Sequence, residues 1–485
     1  MLPDLIEIVP LDKPVRAEIT VPGSKSITNR ALILAALADG ETILTGALWS
    51  EDTQIMVECL QELGFMVNVE PDPNEACNRT ITVYGDGGRV PPGGTEQQPV
   101  ELFVGNAGTA ARFLAAFVCL GKGVYRLHGV LRMHERPQAA LFKALRELGF
   151  RVESENGNDK LPAKIFGGRA DLLVGQDARQ RVPTVPSCTV SIEESSQFAS
   201  ALLLCAKVGG WKVEVIGENA EESPYVAMTT KMIEVFPHHG KFQIEPDASS
   251  GSYFWAAGRL EIKQKTDSQE EKGFTFSASC LPTVRIANWP KSKWQIDEAF
   301  SLFFAQLEMR SRVFSAAMLG SQIVDLPILL GDFSNTRPSL VISRRVDLGD
   351  SIMTAIVIAP FLTEPIGFTD LGRLRVQETE RVVALRTELT KCGANVVEEG
   401  DTLTVYPSRP HGAEIETYND HRMAMCFAVL GLKVPGIKIK NPVCVKKTFP
   451  NFFQKLAASP PHGLGATILD AKTGRKLELK ELFAE

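Results

Sequence analysis

Four times along the chain an amphipathic helical stretch runs into a glycine and then into a short apolar strand. The units are VECLQELGFMVNV around Gly64, FKALRELGFRVES around Gly149, TKMIEVFPHHGKFQI around Gly240 and LRTELTKCGANVVEE around Gly393. Apolar residues three and four apart form a buried stripe, and a glycine at the C-terminal cap takes the left-handed turn out of the helix. The first three glycines are 85 and 91 residues apart, a period too long for a solenoid, so the expectation is one α/β subdomain used several times. Three copies fill roughly residues 24–245, and a second block follows from about residue 246 to the end.

The chain of 485 residues has room for two or three domains at ~150 residues each. With 44% hydrophobic and 23% charged residues it is not a disordered chain. A net charge of −6 argues against a nucleic-acid-binding protein, so any positive site has to be a local pocket. Nine cysteines without a CxxC pair suggest core filler in a reducing compartment rather than a disulfide framework or a zinc knuckle. The longest apolar run, Ile352 to Leu362, is too short to span a membrane and contains Pro360. The first residues lack the basic start and apolar core of a signal peptide, and the expectation is a soluble cytoplasmic protein without membrane partners. Lys263–Lys272 and Ser334–Ser339 read as solvated insertions.

The informative segments are helix starts, whose free N–H groups and positive dipole end bind anions. In PGSKSITNRALILAALADG, Ser26 is a candidate cap and Lys25 and Arg30 flank the first turn. In LFVGNAGTAARFLAAF, Gly105 and Gly108 allow close approach of a ligand while Asn106, Thr109 and Arg112 offer polar contacts. In SIEESSQFASALLL, Ser195, Ser196 and Gln197 open a helix. Taken alone, each reads better as an ordinary capped helix. Their joint placement, one per repeat, lets three helix ends converge; Arg132 and Arg136 of RMHERPQAAL add charge, and a small polyanionic ligand is implied.

The second block repeats the arrangement with carboxylates added. Asp350 precedes an apolar helix in RVDLGDSIMTAIVIAP, and Glu378 and Arg381 stand three apart in RLRVQETERVVALRTEL. Asn419, Asp420, His421 and Arg422 precede another apolar helix, and Lys446 and Lys447 follow in KKTFPNFF. Carboxylates held among cations are candidates for proton transfer, because neighbours and burial tune them.

Taken in order, these segments, together with SPYVAMT, EPDASSGSYFWAAG and QIDEAF, resemble the 5-enolpyruvylshikimate-3-phosphate synthase family. The match covers most of the chain apart from insertions near 259–291 and 309–342, and GNAGTAAR and YNDHRMAM are its most specific parts. The resemblance implies an α/β fold of two similar domains, each of three βαβαββ repeats in an inside-out α/β barrel, joined by two crossover strands. One domain would be residues 24–245, the other residues 1–23 with 246–485. It implies a monomeric enzyme, without metal or cofactor, that moves the enolpyruvyl group of phosphoenolpyruvate to the 5-hydroxyl of shikimate 3-phosphate and releases phosphate.

By the same resemblance Lys25, Ser26 and Arg30 hold shikimate 3-phosphate, Lys25 also reaching phosphoenolpyruvate, and Ser195 and Ser196 contact the shikimate phosphate. Asn106, Gly108, Arg132, Gln197, Arg381, Arg422 and Lys447 form the phosphoenolpyruvate pocket. Thr109, Tyr225, Arg373, Gln377 and His421 complete the substrate-binding set, to which Asp350 also belongs. Asp350, Glu378 and Lys25 are the catalytic candidates, Asp350 as base at the 5-hydroxyl and Glu378 in proton traffic at C3; which group acts in which half-reaction stays open.

Three positions depart from the family pattern: Glu222 stands for a serine, Arg373 for an asparagine and Gln377 for a lysine. Two other readings are weighed against the first. The sister enolpyruvyl transferase acting on UDP-N-acetylglucosamine usually carries a reactive loop cysteine, which HGVLRMHERP lacks. A catalytically dead anion-binding protein of the same fold would not need Asp350, Glu378 and Lys25.

Overall fold

Helices of two kinds alternate along the chain, and the difference between them sets the architecture. The computed structural model describes residues 2–169, 185–217, 223–237, 239–259, 284–303, 338 and 340–485. It divides into a first unit, Pro22–Glu245, and a second, Met1–Val21 with Pro246–Glu485. Lys263–Lys272, most of Ser334–Ser339 and most of the two insertions lie outside the described residues.

In the first unit the helices are α1 (Lys25–Leu37), α2 (Glu51–Glu62), α3 (Gly108–Phe117), α4 (Leu131–Glu135), α5 (Ala139–Glu147), α6 (Ser196–Gly209) and α7 (Pro224–Val235). Every residue of α3 is buried, and α1 is buried along most of its length. A helix apolar all round belongs in an interior, and the alanines of these helices let α1, α3 and α6 pack closely on one another. By contrast α5 buries a single stripe, Leu141, Phe142, Ala144 and Leu145, and covers a sheet. Strands such as Arg151–Ser154 alternate exposed and buried residues, as expected of sheets with one face in water. The helices are inside and the sheets outside.

Both units repeat one sheet pattern. Val100–Phe103 pairs parallel with Gly123–His128, which pairs antiparallel with Ala163–Gly167, itself antiparallel to Arg151–Ser154. With α3 and α5 between the strands this is a βαβαββ repeat. The second unit contributes α8 (Ala248–Arg259), α9 (Ile352–Ile358), α10 (Arg381–Lys391) and α11 (His421–Gly431). There Leu340–Ser343, Ile366–Thr369, Thr402–Tyr406 and Asn395–Glu399 pair in the same way around α9 and α10. Two further sheets borrow a strand from a distant part of the chain. Gly240–Gln243 pairs parallel with Asp39–Leu48, and Leu5–Ile8 lies between Ile437–Lys440 and Ile468–Asp470. These pairings tie the start of each unit to its end.

Gly64 and Gly149 follow α2 and α5 with φ of +96° and +90°, the left-handed exit expected from the sequence. Gly240 differs, because α7 already ends at Val235 and Gly240 opens the next strand. The cause is Pro237, which disfavours helical backbone at Phe236 and cannot donate a helical bond. The run Ile352 to Leu362 is α9 followed by a buried turn at Ala359–Phe361, in the core of the second unit with Phe254 and Phe427. No helix among the described residues is long and apolar enough to cross a membrane.

Candidate active site

In the first unit the N-terminal turns of the central helices are tied side by side. Gln197 Nε2 donates to Thr109 Oγ1 at 3.0 Å, and Arg112 Nη1 donates to Gln197 Oε1 at 2.9 Å, joining the first turns of α6 and α3. Ser195 caps α6 by accepting the Gln197 amide at 3.3 Å, with Ser196 buried just after it. The caps of α1 and α3, Ser24 and Ala107, supply no side-chain acceptor, which leaves first-turn amides for an anion. Ser26 is not the cap expected of it: the helix already begins at Lys25, which puts Ser26 in the first turn.

Lys25 Nζ lies 2.9 Å from Asp52 Oδ2, a buried carboxylate near the start of α2. Asp52 was not anticipated; its sequence signal is only an acidic residue in a capped first turn. Arg30 is 2% exposed and donates to Thr229 Oγ1 at 2.7 Å, Ser200 Oγ at 3.0 Å and the Ser26 carbonyl at 2.8 Å. It also reaches the carbonyl of Tyr225, in the first turn of α7, at 3.4 Å. Arg30 therefore braces α1 against α6 and α7. Burial lowers its pKa to about 10, with Tyr225 acting in the opposite direction.

At the start of α3, Arg136 Nη1 donates to the Asn106 carbonyl at 3.1 Å. Gly108 is packed by guanidinium groups: a Cβ there would come within 2.7 Å of Arg136 Nη2 and closer still to Arg112 Nη1. Of the two arginines in RMHERP, the buried Arg136 reaches this helix end, whereas Arg132 pairs with Glu135 at 2.7 Å with 42% of its side chain exposed.

The second unit places an aspartate before each of α8, α9 and α11, and two of the three cap. Asp247 accepts the Ser250 amide at 2.7 Å and Asp420 accepts the Arg422 amide at 2.8 Å. Before α9 it is Asp297 whose Oδ1 accepts the amide of the cap residue Ser351, at 2.9 Å. The Asp350 carboxylate bonds arginines instead: Arg344 Nη2 at 2.6 Å, Arg422 Nη2 at 3.2 Å and Arg381 Nη1 at 4.0 Å. Burial alone would raise its pKa, but Arg422, Arg344 and Arg381 outweigh burial and hold the carboxyl well below the usual carboxylate range. Asp247 goes the other way, since burial raises its pKa against Arg422 and the Ser250 amide.

Glu378 lies just before α10 rather than at its first residue; Glu380 is the cap and accepts the Val383 amide at 2.7 Å. Glu378 is thereby available to bridge two cations, Arg381 Nη2 at 2.9 Å and Lys447 Nζ at 3.3 Å. Arg381, 1% exposed, also binds Asp420 at 2.7 Å and donates to the side-chain oxygen of Gln377. Burial pulls its pKa down, but Asp420, Glu378 and Asp350 together raise it above the ordinary value. His421 is buried beside Asp420, and Arg373 is half-buried in the turn Gly372–Val376. Arg344, one residue before the RVDLGDSIMTAIVIAP segment, is not among the residues the sequence singles out. Glu222 lies outside the described residues. Among the described residues no three His, Cys, Asp or Glu side chains are grouped to hold a metal ion.

The family model for EPSP synthase (3-phosphoshikimate 1-carboxyvinyltransferase) matches residues 10–265 and 334–456. A 3-phosphoshikimate 1-carboxyvinyltransferase of Trichormus variabilis is 34% identical over 478 residues, covering 93% of this chain and 98% of the relative. One of Opitutus terrae is 35% identical over 484 residues, covering 94% of this chain and 97% of the relative. Among solved structures, EPSP synthase from Acinetobacter baumannii superposes with a TM-score of 0.64 at 20% identity, covering 96% of this chain and 99% of that one. The enolpyruvyl transferase NikO from Streptomyces tendae gives 0.58 at 14% identity, covering 98% of both chains. The structural likenesses show the fold alone, while the family model and the sequence relatives go further: the chain belongs to the EPSP synthase family.

Proposed function

We propose that this chain transfers the enolpyruvyl group of phosphoenolpyruvate to the 5-hydroxyl of shikimate 3-phosphate and releases phosphate. The observation that carries the proposal is the pair of partly buried carboxylates, Asp350 and Glu378, each bonded to cations and neither used to cap its helix. Both substrates are phosphorylated carboxylates. The open amides of α1 and α3 with Lys25, Ser26, Asn106 and Gly108, and the α6 start with Ser195, Ser196 and Gln197, suit their phosphate and carboxylate oxygens. In the second unit Arg381, Arg422 and Lys447 supply further positive charge, with His421 beside them.

In the first half-reaction C3 of phosphoenolpyruvate gains a proton as the 5-oxygen adds to C2, and the 5-hydroxyl proton passes to Asp350. The product is a tetrahedral adduct. In the second half C3 loses a proton, the double bond reforms and phosphate leaves with the electrons of its C–O bond. Glu378, next to Lys447, handles the C3 proton. Asp350 is a weak base while three arginines hold it. Substrate phosphate and carboxylate groups compete for Arg422 and Arg381, which restores its basicity when the hydroxyl is in place.

The reaction on UDP-N-acetylglucosamine is not favoured. No cysteine lies in His128–Pro137, and the described cysteines, Cys59 and Cys188 among them, are buried. Burial pushes their thiols up, to about 12 for Cys59 and about 11 for Cys188. We also infer a cytoplasmic monomer. The deciding experiment is steady-state phosphate release from phosphoenolpyruvate with either shikimate 3-phosphate or UDP-N-acetylglucosamine as acceptor. Turnover with the first alone supports the proposal; turnover with the second, or with neither, overturns it.

A further inference from the structure

Arg344 and its neighbour Arg345 leave the strand Leu340–Ser343 in different ways. Arg345 makes an ordinary surface pair with Asp370 at 3.6 Å, with 38% of its side chain exposed. Arg344 turns inward, with 7% exposed, and donates to Asp350 Oδ1 at 2.6 Å. This is the shortest of Asp350's three cationic contacts, and a charge-assisted bond of this length fixes direction as well as charge.

The turn that carries both residues does not need this pair to hold its shape. The Arg344 amide donates to the Thr369 carbonyl at 3.1 Å. Ser343 Oγ accepts the amides of Arg345 at 3.1 Å and Val346 at 3.3 Å, and Asp347 accepts the Ser343 amide at 2.8 Å. At the far end Asp297 fixes the Ser351 amide at 2.9 Å, and the Met353 amide donates to the Asp350 carbonyl at 3.2 Å. Bonds from backbone amides to carbonyls and side-chain oxygens thus anchor the loop on both sides. A buried ion pair added to an anchored loop contributes little net stability, because desolvating two charges offsets most of their attraction. Its remaining consequence is the orientation of one carboxylate. Arg344 Nε is buried without a hydrogen-bond partner among the described residues, so no competing bond diverts the guanidinium.

We propose that Arg344 is a positioning residue for the transfer reaction: it pins Asp350 by Oδ1 and leaves Oδ2, 3.2 Å from Arg422 Nη2, as the oxygen that takes the acceptor hydroxyl's proton. The proposal rests on Asp350 being the base. The charged and titratable groups around Asp350 are Arg344 from the strand end, Arg381 from α10 and Arg422 from α11, with Asp297, Asp247 and Tyr253 behind them. Of these Arg344 makes the shortest contact, and makes it at Oδ1.

The test uses Arg344→Met and Arg344→Lys in the full chain, with Asp350→Asn as reference. In Arg344→Met kcat should fall at least ~10-fold while KM for phosphoenolpyruvate changes less than ~3-fold, the pattern of a misplaced group rather than lost binding. Removing a cation raises the protonation midpoint of Asp350, so the acid limb of kcat/KM should move to higher pH. Arg344→Lys, which keeps the charge but not the forked geometry, should return the acid limb further than it returns kcat. Isotope-edited infrared titration of the Asp350 carboxylate, identified by its loss in Asp350→Asn, reads the same shift without turnover. Unchanged kcat in Arg344→Met, or an Asp350 titration that stays in place, overturns the proposal while leaving the overall reaction intact. Normal turnover in Asp350→Asn overturns instead the assignment of the base. If Arg344→Met does not fold, Arg344→Lys decides alone: parental kcat overturns the proposal, and a loss of kcat with parental KM supports it.

Discussion

Asp297 Oδ1 accepts the amide of Ser351, the cap residue of α9, at 2.9 Å, whereas Asp247 and Asp420 accept first-turn amides of α8 and α11 with their own carboxylates. The Asp350 carboxylate itself is held by arginines. Asp297 is 3% exposed and also accepts the Ser249 hydroxyl, so Asp297→Ala strands two buried donors. The expected cost is about 1–3 kcal/mol per unsatisfied group, read from denaturant unfolding. With the Ser351 amide free to draw Asp350 into capping, kcat should fall as well, and Asp297→Asn, which keeps an acceptor, should recover most of both losses. Full activity in a destabilised Asp297→Ala would show that Asp350 does not depend on this bond.

Asp350→Asn and Glu378→Gln should each lower kcat by ~10²-fold or more, the usual cost of losing an acid or base group, with much smaller changes in substrate binding. Both replacements keep the side-chain shape, and Glu378→Gln still offers Arg381 and Lys447 an oxygen acceptor. Steady-state kinetics together with substrate titration separates the two effects. A near-parental kcat in either variant removes that residue from the proton path.

Glyphosate should compete with phosphoenolpyruvate, and Gly108→Ala should weaken that inhibition. The mechanism is specific to this packing: a methyl group at Gly108 must displace the guanidinium ends of Arg112 and Arg136, which lie closer to it than van der Waals contact permits. The position of Arg136, bonded to the Asn106 carbonyl, would then shift with it. Inhibition constants measured against varied phosphoenolpyruvate check this, and equal values for parent and variant would place Gly108 away from the inhibitor.

The helix starts were legible because caps, glycines and basic residues cluster there in the sequence, and Ser195 caps as an ordinary helix start implies. What the sequence hid is which of several similar residues is buried against a helix start. RMHERP offers two arginines, and only packing against α3 distinguishes the buried Arg136 from the exposed Arg132. Asp52, Asp297 and Arg344 act across 27, 54 and 6 residues of separation, and local patterns carry no information about partners brought together by the fold. Gly240 misled for a local reason, since the Pro237 stop outweighs helical periodicity.

Arg30 was expected to hold substrate, yet its position gives it a structural duty that can be measured separately. Its guanidinium is 2% exposed, donates to Thr229, Ser200 and two backbone carbonyls, and lies 5.3 Å from the Phe113 ring centroid. It thereby links α1 to α6 and α7 by hydrogen bonds and to α3 by a cation over an aromatic face. Arg30→Met fills most of the volume but leaves the Ser200 and Thr229 hydroxyls and the Tyr225 carbonyl with fewer partners. The expected loss is about 2–4 kcal/mol of stability, at the high end for a single substitution because several buried polar groups are affected at once. Thermal and denaturant unfolding measure that loss, and substrate titration below the unfolding range measures binding apart from it. A stable variant that fails to bind shikimate 3-phosphate would make Arg30 a substrate contact first; an unstable variant that still binds would make it a brace.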